Sequence, residues 1–200
     1  MNKINFIKTC KLIQPIYRSL TGKGNYKTLK ILQKINKDLK ILSFKSGEKV
    51  FDWRVPLEWN IKDAWIKDNN KKKIIDFKKT PLSVVGYSTK INKYLTLNDL
   101  KKKIHTLKKQ PKETPYVTSY YKKDWGFSMS ENDKKKLKKG KYHALINSNF
   151  KKGNLHLGEI YIPGKSKREI LLTSYICHPY MANNEISGPV VLIHLANWIK

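Results

Sequence analysis

The sequence predicts an α/β fold, and three observations support that prediction. Residues 170–200 have the pattern of a buried strand, a polar turn and a helix. The first forty residues show helical spacing of apolar side chains, and short apolar runs typical of strands follow them. A chain of 200 residues with 40% apolar content is also long enough and apolar enough to bury a core.

The segment 170–200 organises the rest of the prediction. Residues 170–176 are apolar without strict alternation, which is typical of a strand buried on both faces of a sheet. Pro179 cannot donate to a sheet ladder, so it ends the strand and leaves His178 at the carboxyl edge, where α/β sheets bind ligands. In the polar turn that follows, Ser187 is predicted to cap a helix and Pro189 to occupy its first turn.

The helix predicted at 190–199 is apolar nearly all round, so we expect it to be largely buried. It reaches Lys200 without a capping glycine or a following turn. A buried helix and a parallel sheet both need further layers. We therefore expect these 200 residues to be the front part of a longer protein.

The remaining elements follow in chain order. Helices are predicted at 2–20, with an interruption at Pro15, and at 26–39, and two strands joined by a turn at 46–48 lead to Val55. The segment up to residue 129 is rich in aromatics, which we expect to pack as core rather than line a pocket. It has predicted strands at 74–77 and 83–87 and a helix at 96–107, near whose end His105 lies. Strands at 142–147 and 155–162 follow.

The net positive charge of the chain is typical of proteins that bind polyanions, but the make-up of its basic residues argues against such a partner. The formal net charge is +27, yet only three of the 42 basic residues are arginine. Lysine, asparagine and isoleucine, which A/T-rich codons encode, are all abundant. We therefore predict a solvated lysine surface and no nucleic-acid partner, with polyanion binding as the alternative.

The cysteines and the hydropathy of the sequence indicate the cellular compartment. Cys10 and Cys177 lie far apart, with no CxxC pair, so neither a disulfide framework nor a cysteine zinc site is predicted. Lysines interrupt the apolar residues at the amino terminus, and no apolar run is long enough to cross a bilayer. These features predict a cytoplasmic protein without a membrane partner.

Several stretches carry a family resemblance. The order of strand, Ile-Pro-Gly turn, strand, histidine and Asn-Asn-x-x-Ser-Gly over residues 157–188 resembles the zinc aminopeptidase family M28. The whole chain resembles the bacterial aminopeptidase-like proteins of the DUF4910/DUF2172 group, some of which are named for polysaccharide biosynthesis. The matching stretches are residues 18–24, 51–61, 74–77, 114–121, 125–127 and 177–179.

The resemblance implies an incomplete, M28-like α/β sandwich with an inserted β-rich domain. Residues 1–51 would supply its first helices and strand, residues 52–140 the insert, and residues 141–200 the start of the peptidase-like core. A winged-helix domain usually follows in this group.

The resemblance also implies zinc, with His178 as its first ligand. Asn184 would occupy the place of the metal-bridging aspartate, where a neutral amide is a much poorer ligand than a carboxylate. Tyr180 stands where the peptidases have an aspartate that orients the histidine. Glu185 can supply a carboxylate if the turn shifts by one residue. The remaining ligands and the general base would lie beyond Lys200, so we expect no catalytic residue and no peptidase activity in residues 1–200 alone.

Three functions remain open from the sequence. The first is a zinc-dependent, aminopeptidase-like hydrolase acting on a peptide or aminoacyl substrate. The second is a non-catalytic binding protein that keeps the peptidase fold, which Asn184 and Tyr180 both favour. The third is a protein that binds polyanions through its basic surface.

Overall fold

The computed structural model describes residues 3–200, and side chains from Phe6 onwards. The chain divides into two compact units: a first unit made of Met1–Glu58 and Lys151–Lys200, and a middle unit made of Trp59–Phe150. The predicted insert, residues 52–140, begins and ends earlier than the middle unit, and its assignment as an inserted domain stays a prediction.

The α-helices of the described residues are, in chain order, α1 (Lys3–Ile13), α2 (Lys23–Ile35), α3 (Leu97–Lys101), α4 (Glu131–Lys135) and α5 (Ser187–Ile199). The strands are β1 (Lys40–Lys45), β2 (Lys49–Val50), β3 (Trp53–Arg54), β4 (Glu58–Lys67), β5 (Lys73–Asp76), β6 (Ile91–Thr96), β7 (Ile104–His105), β8 (Phe127–Ser128), β9 (Lys141–Lys151) and β10 (Asn154–Glu159). A 3₁₀ turn (Pro81–Ser83) and a π-helical turn (Ala182–Ile186) complete the secondary structure. None of the helices within residues 3–200 is long and apolar enough to cross a membrane.

The first unit packs its helices against the two-stranded sheet β1–β10, and β2 and β3 form a second antiparallel pair. β1 pairs with β10 in antiparallel register, from Lys40 opposite Glu159 to Lys45 opposite Asn154. Two apolar clusters hold α5 in place: one joins Ile193 to α2 and β1, and the other joins Val190 to α1. Their buried members are Leu29, Leu32, Leu39 and Ile193 in the first cluster, and Ile13, Ile186 and Val190 in the second.

The middle unit is built on a four-stranded sheet in the order β5-β4-β9-β6. Side chains alternate across its faces, as the pleat of a strand requires. One face of β4 and β9 is fully buried, and its residues include Ala64, Ile66, Ala144 and Ile146. Trp59, only 1% exposed, stacks on Tyr87 and donates its indole N–H to the carbonyl of Ser88 at 2.9 Å. Trp59 and Tyr87 therefore pack as part of the core, as the sequence predicts for the aromatic residues of this segment.

The predicted helices near the amino terminus and the predicted strands at 74–77, 142–147 and 155–162 are confirmed. The predicted helix at 96–107 is wrong beyond Lys101. Ile104 and His105 form β7, which pairs in parallel with β8, so His105 does not lie at a helix end. Ile104 is 5% exposed, and burying it against Phe127 outweighs the helical preference of the lysines before it.

The predicted buried strand at 170–176 is also wrong. The segment belongs to no strand, and the exposed fractions of Ile170 and Leu171 are 89% and 85%. Within the described residues the sheets of the first unit are β1–β10 and β2–β3, and none of these strands pairs with this segment. An apolar run adopts a sheet conformation only where neighbouring strands satisfy its backbone, so apolarity alone did not decide its structure.

The predicted helix forms as α5, but it begins at Ser187 itself, so Ser187 is not its N-cap. The N-cap residue is Ile186, and no side chain caps the helix. Part of α5 is exposed, including 76% of Trp198 and 42% of Val191, so the prediction of a largely buried helix holds only for the face that carries Val190 and Ile193.

Candidate metal centre

The site lies in the first unit, where the chain turns into α5. Tyr180 and Met181 both have positive φ, at 63° and 26°. The turn Ala182–Ile186 is π-helical, and the backbone N–H of Glu185 donates to the carbonyl of Met181 at 2.9 Å. Positive φ is costly for residues with side chains, and π-helical turns are frequent at functional sites. This wide turn brings Glu185 back to His178.

Glu185 is fully buried, and both of its carboxylate oxygens have partners. Oε1 lies 2.8 Å from Nδ1 of His178. Oε2 accepts a hydrogen bond from the backbone N–H of His178 at 3.2 Å, and the Sγ of Cys177 donates to Oε1 at 3.9 Å. Since an unpaired buried carboxylate is very costly, these contacts are what allow Glu185 to lie inside the unit.

A second buried charge belongs to the same site. Arg18, in the loop between α1 and α2, is 0% exposed. Its Nη1 donates to the carbonyls of Ile13 at 2.6 Å and Ile16 at 3.1 Å, while its Nε and Nη2 have no hydrogen-bond partner among the described residues. Burial lowers the pKa of Arg18, and electrostatic attraction to Glu185 and Cys177 opposes that effect. Arg18 is thus a counter-charge to Glu185.

The protonation of His178 is set by its neighbours. Hydrogen bonds with Cys177 and then with Glu185 outweigh the effect of burial and raise the pKa of His178 from 6.5 to about 9. The imidazole is therefore protonated at neutral pH when no metal is bound. A metal ligand must be the neutral imidazole, so a metal ion would have to displace this proton.

The donor atoms of Cys177, His178 and Glu185 fit a zinc ion. All three lie within 4.8 Å of one another. Thiolate, imidazole and carboxylate are the usual zinc ligands, and around a tetrahedral ion such atoms lie about 3.3 to 3.6 Å apart. The 2.8 Å contact between His178 and Glu185 would have to open by about half an ångström, which is a small movement for two side chains.

The structure thus joins two of the four residues predicted for the site, His178 and Glu185. Asn184, predicted at the place of the bridging aspartate, is exposed, whereas Glu185 next to it is buried. Tyr180 is half-buried and carries the positive φ of the turn. The sequence analysis missed Cys177, because it considered cysteines only in pairs. Its position directly before His178 is the signal that was available.

Comparisons with known proteins agree with part of the predicted resemblance. Residues 58–149 match the domain family DUF2172, described as a domain of unknown function. Over 182 residues the chain is 46% identical to a Clostridium acetobutylicum protein named for polysaccharide biosynthesis and an aminopeptidase-like domain. That alignment covers 91% of this chain and 42% of the relative, so the chain spans less than half of the relative's length.

Solved structures give a similar result. A crystal structure of a Clostridium acetobutylicum protein described as a peptidase superposes with a TM-score of 0.92 at 42% identity. The superposition covers 98% of this chain and 46% of that one. An aminopeptidase from Aneurinibacillus sp. strain AM-1 gives a TM-score of 0.42 at 12% identity, which is too low to establish a shared fold.

We predict that the stability of the metal-free protein falls as the pH rises from about 6.5 to about 9. The folded state raises the pKa of His178 above its ordinary value, so its contribution is complete below 6.5 and is lost as the pH passes through about 9. The contribution is at most about 3 kcal/mol. Urea unfolding in chelator across this range, for the wild type and His178→Ala, measures it. The two proteins should converge in stability toward high pH. A constant difference between them would contradict the proposed ion pair.

We also predict that Glu185→Gln destabilises the metal-free protein by about 3 to 5 kcal/mol, because it leaves the charges of His178 and Arg18 without their counter-charge. Urea unfolding measures this loss. Glu159→Gln, at an exposed position in the same unit, should change stability by no more than about 0.5 kcal/mol. Equal, small effects of both substitutions would show that Glu185 carries no buried charge.

Proposed function

With a DUF2172 domain at residues 58–149 and a relative named for an aminopeptidase-like domain, we propose that this chain contributes a zinc site to an aminopeptidase-type hydrolase. One observation carries the proposal. The carboxylate of Glu185 is fully buried, and its donor oxygen lies within 4.8 Å of the imidazole of His178 and the thiol of Cys177, close enough for one ion to bind all three. The finer predictions, an M28-like sandwich and zinc dependence, belong to this proposal.

Each residue of the site has a distinct part in it. Cys177, His178 and Glu185 would hold the ion, whose two positive charges would balance the two anionic ligands. Arg18, which donates to the carbonyls of Ile13 and Ile16, would fix the loop between α1 and α2 beside the site. Bound zinc supplies a Lewis acid that polarises an amide carbonyl. Three ligands from these residues would leave one position of a tetrahedral ion for a further ligand or for water. The substrate class we propose is a peptide or aminoacyl amide.

The setting we propose is cytoplasmic, since the free thiol of Cys177 would have to remain reduced to act as a ligand. The relative's name also supports a place in polysaccharide biosynthesis.

We expect the chelator-stripped protein to bind one zinc ion per chain, measured by calorimetric titration and by elemental analysis after dialysis. His178→Ala and Cys177→Ala should each weaken binding at least about tenfold, because each removes one of three ligands. His156→Ala is the matched control: His156 also lies in the first unit, beside Ser43, and its removal should leave binding unchanged.

The variant Asn184→Asp separates the two ligand assignments. If Glu185 is the carboxylate ligand, an aspartate at the exposed position 184 leaves zinc affinity unchanged. A gain of affinity in Asn184→Asp would restore the assignment drawn from the resemblance. Zinc content near zero in the wild type, or equal zinc content in the wild type and His178→Ala, would contradict the proposal and favour a non-catalytic binding protein.

A further inference from the structure

The middle unit carries an open groove of about 630 Å³ at one end of its sheet. It is formed by the end of β6, the first residues of α3, the start of β9 and the turn between β4 and β5. Three of its side chains are lysines and none is acidic. The lining residues are Asn69, Thr96, Leu97, Asn98, Lys101, Lys139, Gly140 and Lys141.

The lysines of the groove are not neutralised locally. Among the described residues, none of Lys101, Lys139 and Lys141 forms an ion pair. Three acidic residues lie near the lining in sequence, and each has other partners. Asp99 accepts from Thr96 and Lys102, Asp133 pairs with Lys136, and Asp68 accepts from two backbone N–H groups of its own turn. The groove is therefore complementary to an anion.

An aromatic stripe leads to this groove along the open face of the sheet. Tyr94 on β6 stacks on His143 on β9, with ring centroids 4.2 Å apart and an interplanar angle of 21°. The rings of Trp65 on β4 and His143 are nearly perpendicular, with their centroids 4.8 Å apart. Lys141 and Thr96 form the next pair in register on the same face, about 7 Å along the strands from Tyr94. Stripe and groove thus form one continuous surface.

The central ring of the stripe, His143, is held by a hydrogen bond, and the outer ring, Tyr94, is exposed. Nε2 of His143 lies 2.6 Å from Oδ1 of Asn92, which fixes the imidazole between Tyr94 and Trp65. The ammonium of Lys67 lies 4.5 Å over Trp65. Tyr94, in contrast, is 73% exposed, so its outer face is available. A platform on paired strands, ordered before binding, lowers the entropic cost of holding a ligand.

We propose that this surface binds an acidic oligosaccharide, with a sugar ring on Tyr94 and its acid group against Lys101, Lys139 and Lys141. The C–H face of a pyranose packs on an aromatic ring, and the amides of Asn69 and Asn98 can hydrogen-bond its hydroxyls. Lysine ammonium groups bind carboxylate and phosphate as point charges. The acid group can thus be either one.

A single-stranded nucleic acid fits the surface less well. Such strands are held by several free aromatic faces on which successive bases stack, with arginine contributing. Here His143 and Trp65 are covered by their neighbours, and residues 59–150 contain no arginine. One free ring beside one cationic groove matches one sugar residue and its acid group.

Isothermal titration of the full chain tests the proposal with tetragalacturonic acid as the carboxylate probe and mannose 6-phosphate as the phosphate probe. We expect at least one of them to bind, and maltotetraose, which is neutral, to bind much more weakly. Tyr94→Ala should raise the dissociation constant about tenfold, and Lys139→Ala by about threefold or more. Tyr121→Ala and Lys123→Ala are matched controls at exposed positions of the same unit, and they should leave binding unchanged.

Three results would overturn the proposal. They are the absence of binding of both acidic probes at millimolar concentration, binding that the Tyr94 and Lys139 variants leave unchanged, and tighter, Tyr94-dependent binding of an oligothymidylate. Because every residue of this surface lies in the middle unit, its failure would not affect the zinc proposal, and loss of zinc binding would not affect this one.

Discussion

The buried carboxylate of Glu185 is the constraint on which the site of the first unit depends. A charge at 0% exposure must be compensated within the protein, and His178 and Arg18 supply that compensation from opposite ends of the chain. The π-helical turn and the positive φ of Tyr180 and Met181 are the backbone cost of placing the carboxylate there. A purely structural role would be served more cheaply by an apolar side chain. This cost is one reason for the proposal that the site would exchange a proton for a metal ion.

The charges of the site can be compared without and with a metal ion. Without metal, the proton on His178 and the guanidinium of Arg18 neutralise Glu185 and hold the turn in place. In the proposed zinc site the ion would take the place of that proton, and Cys177 would add a second negative charge as a thiolate. The middle unit needs none of this chemistry: its sheet buries one face as core and leaves a cationic, aromatic face open.

Two of the residues that the sequence analysis proposed for the site, His178 and Glu185, lie in contact, and their role as metal ligands stays a prediction. His178 was chosen from the family resemblance and from its place at the end of a predicted strand. That strand does not form, so the second argument fails. Glu185 was recognised as an available carboxylate, but its burial depends on the π-helical turn, which no local pattern indicates. Strands β4 and β6 were missed because lysines interrupt the alternation at core-face positions: Lys62 stands at the spacing of Ala64 and Ile66, and Lys93 stands between Ile91 and Leu95. The segment 170–176 and the helix at 96–107 failed for one reason: tertiary pairing, or its absence, overrode local preference.

The central claim is that Cys177, His178 and Glu185 bind one metal ion together, and cobalt substitution tests it most directly. The account predicts that Co²⁺ added to the metal-free protein gives a sulfur-to-cobalt charge-transfer band in the near ultraviolet, with the intense visible bands of a four-coordinate ion. The charge-transfer band should disappear in Cys177→Ser. Weak, octahedral-type spectra without that band would contradict the account and leave the three residues as a buried ion pair.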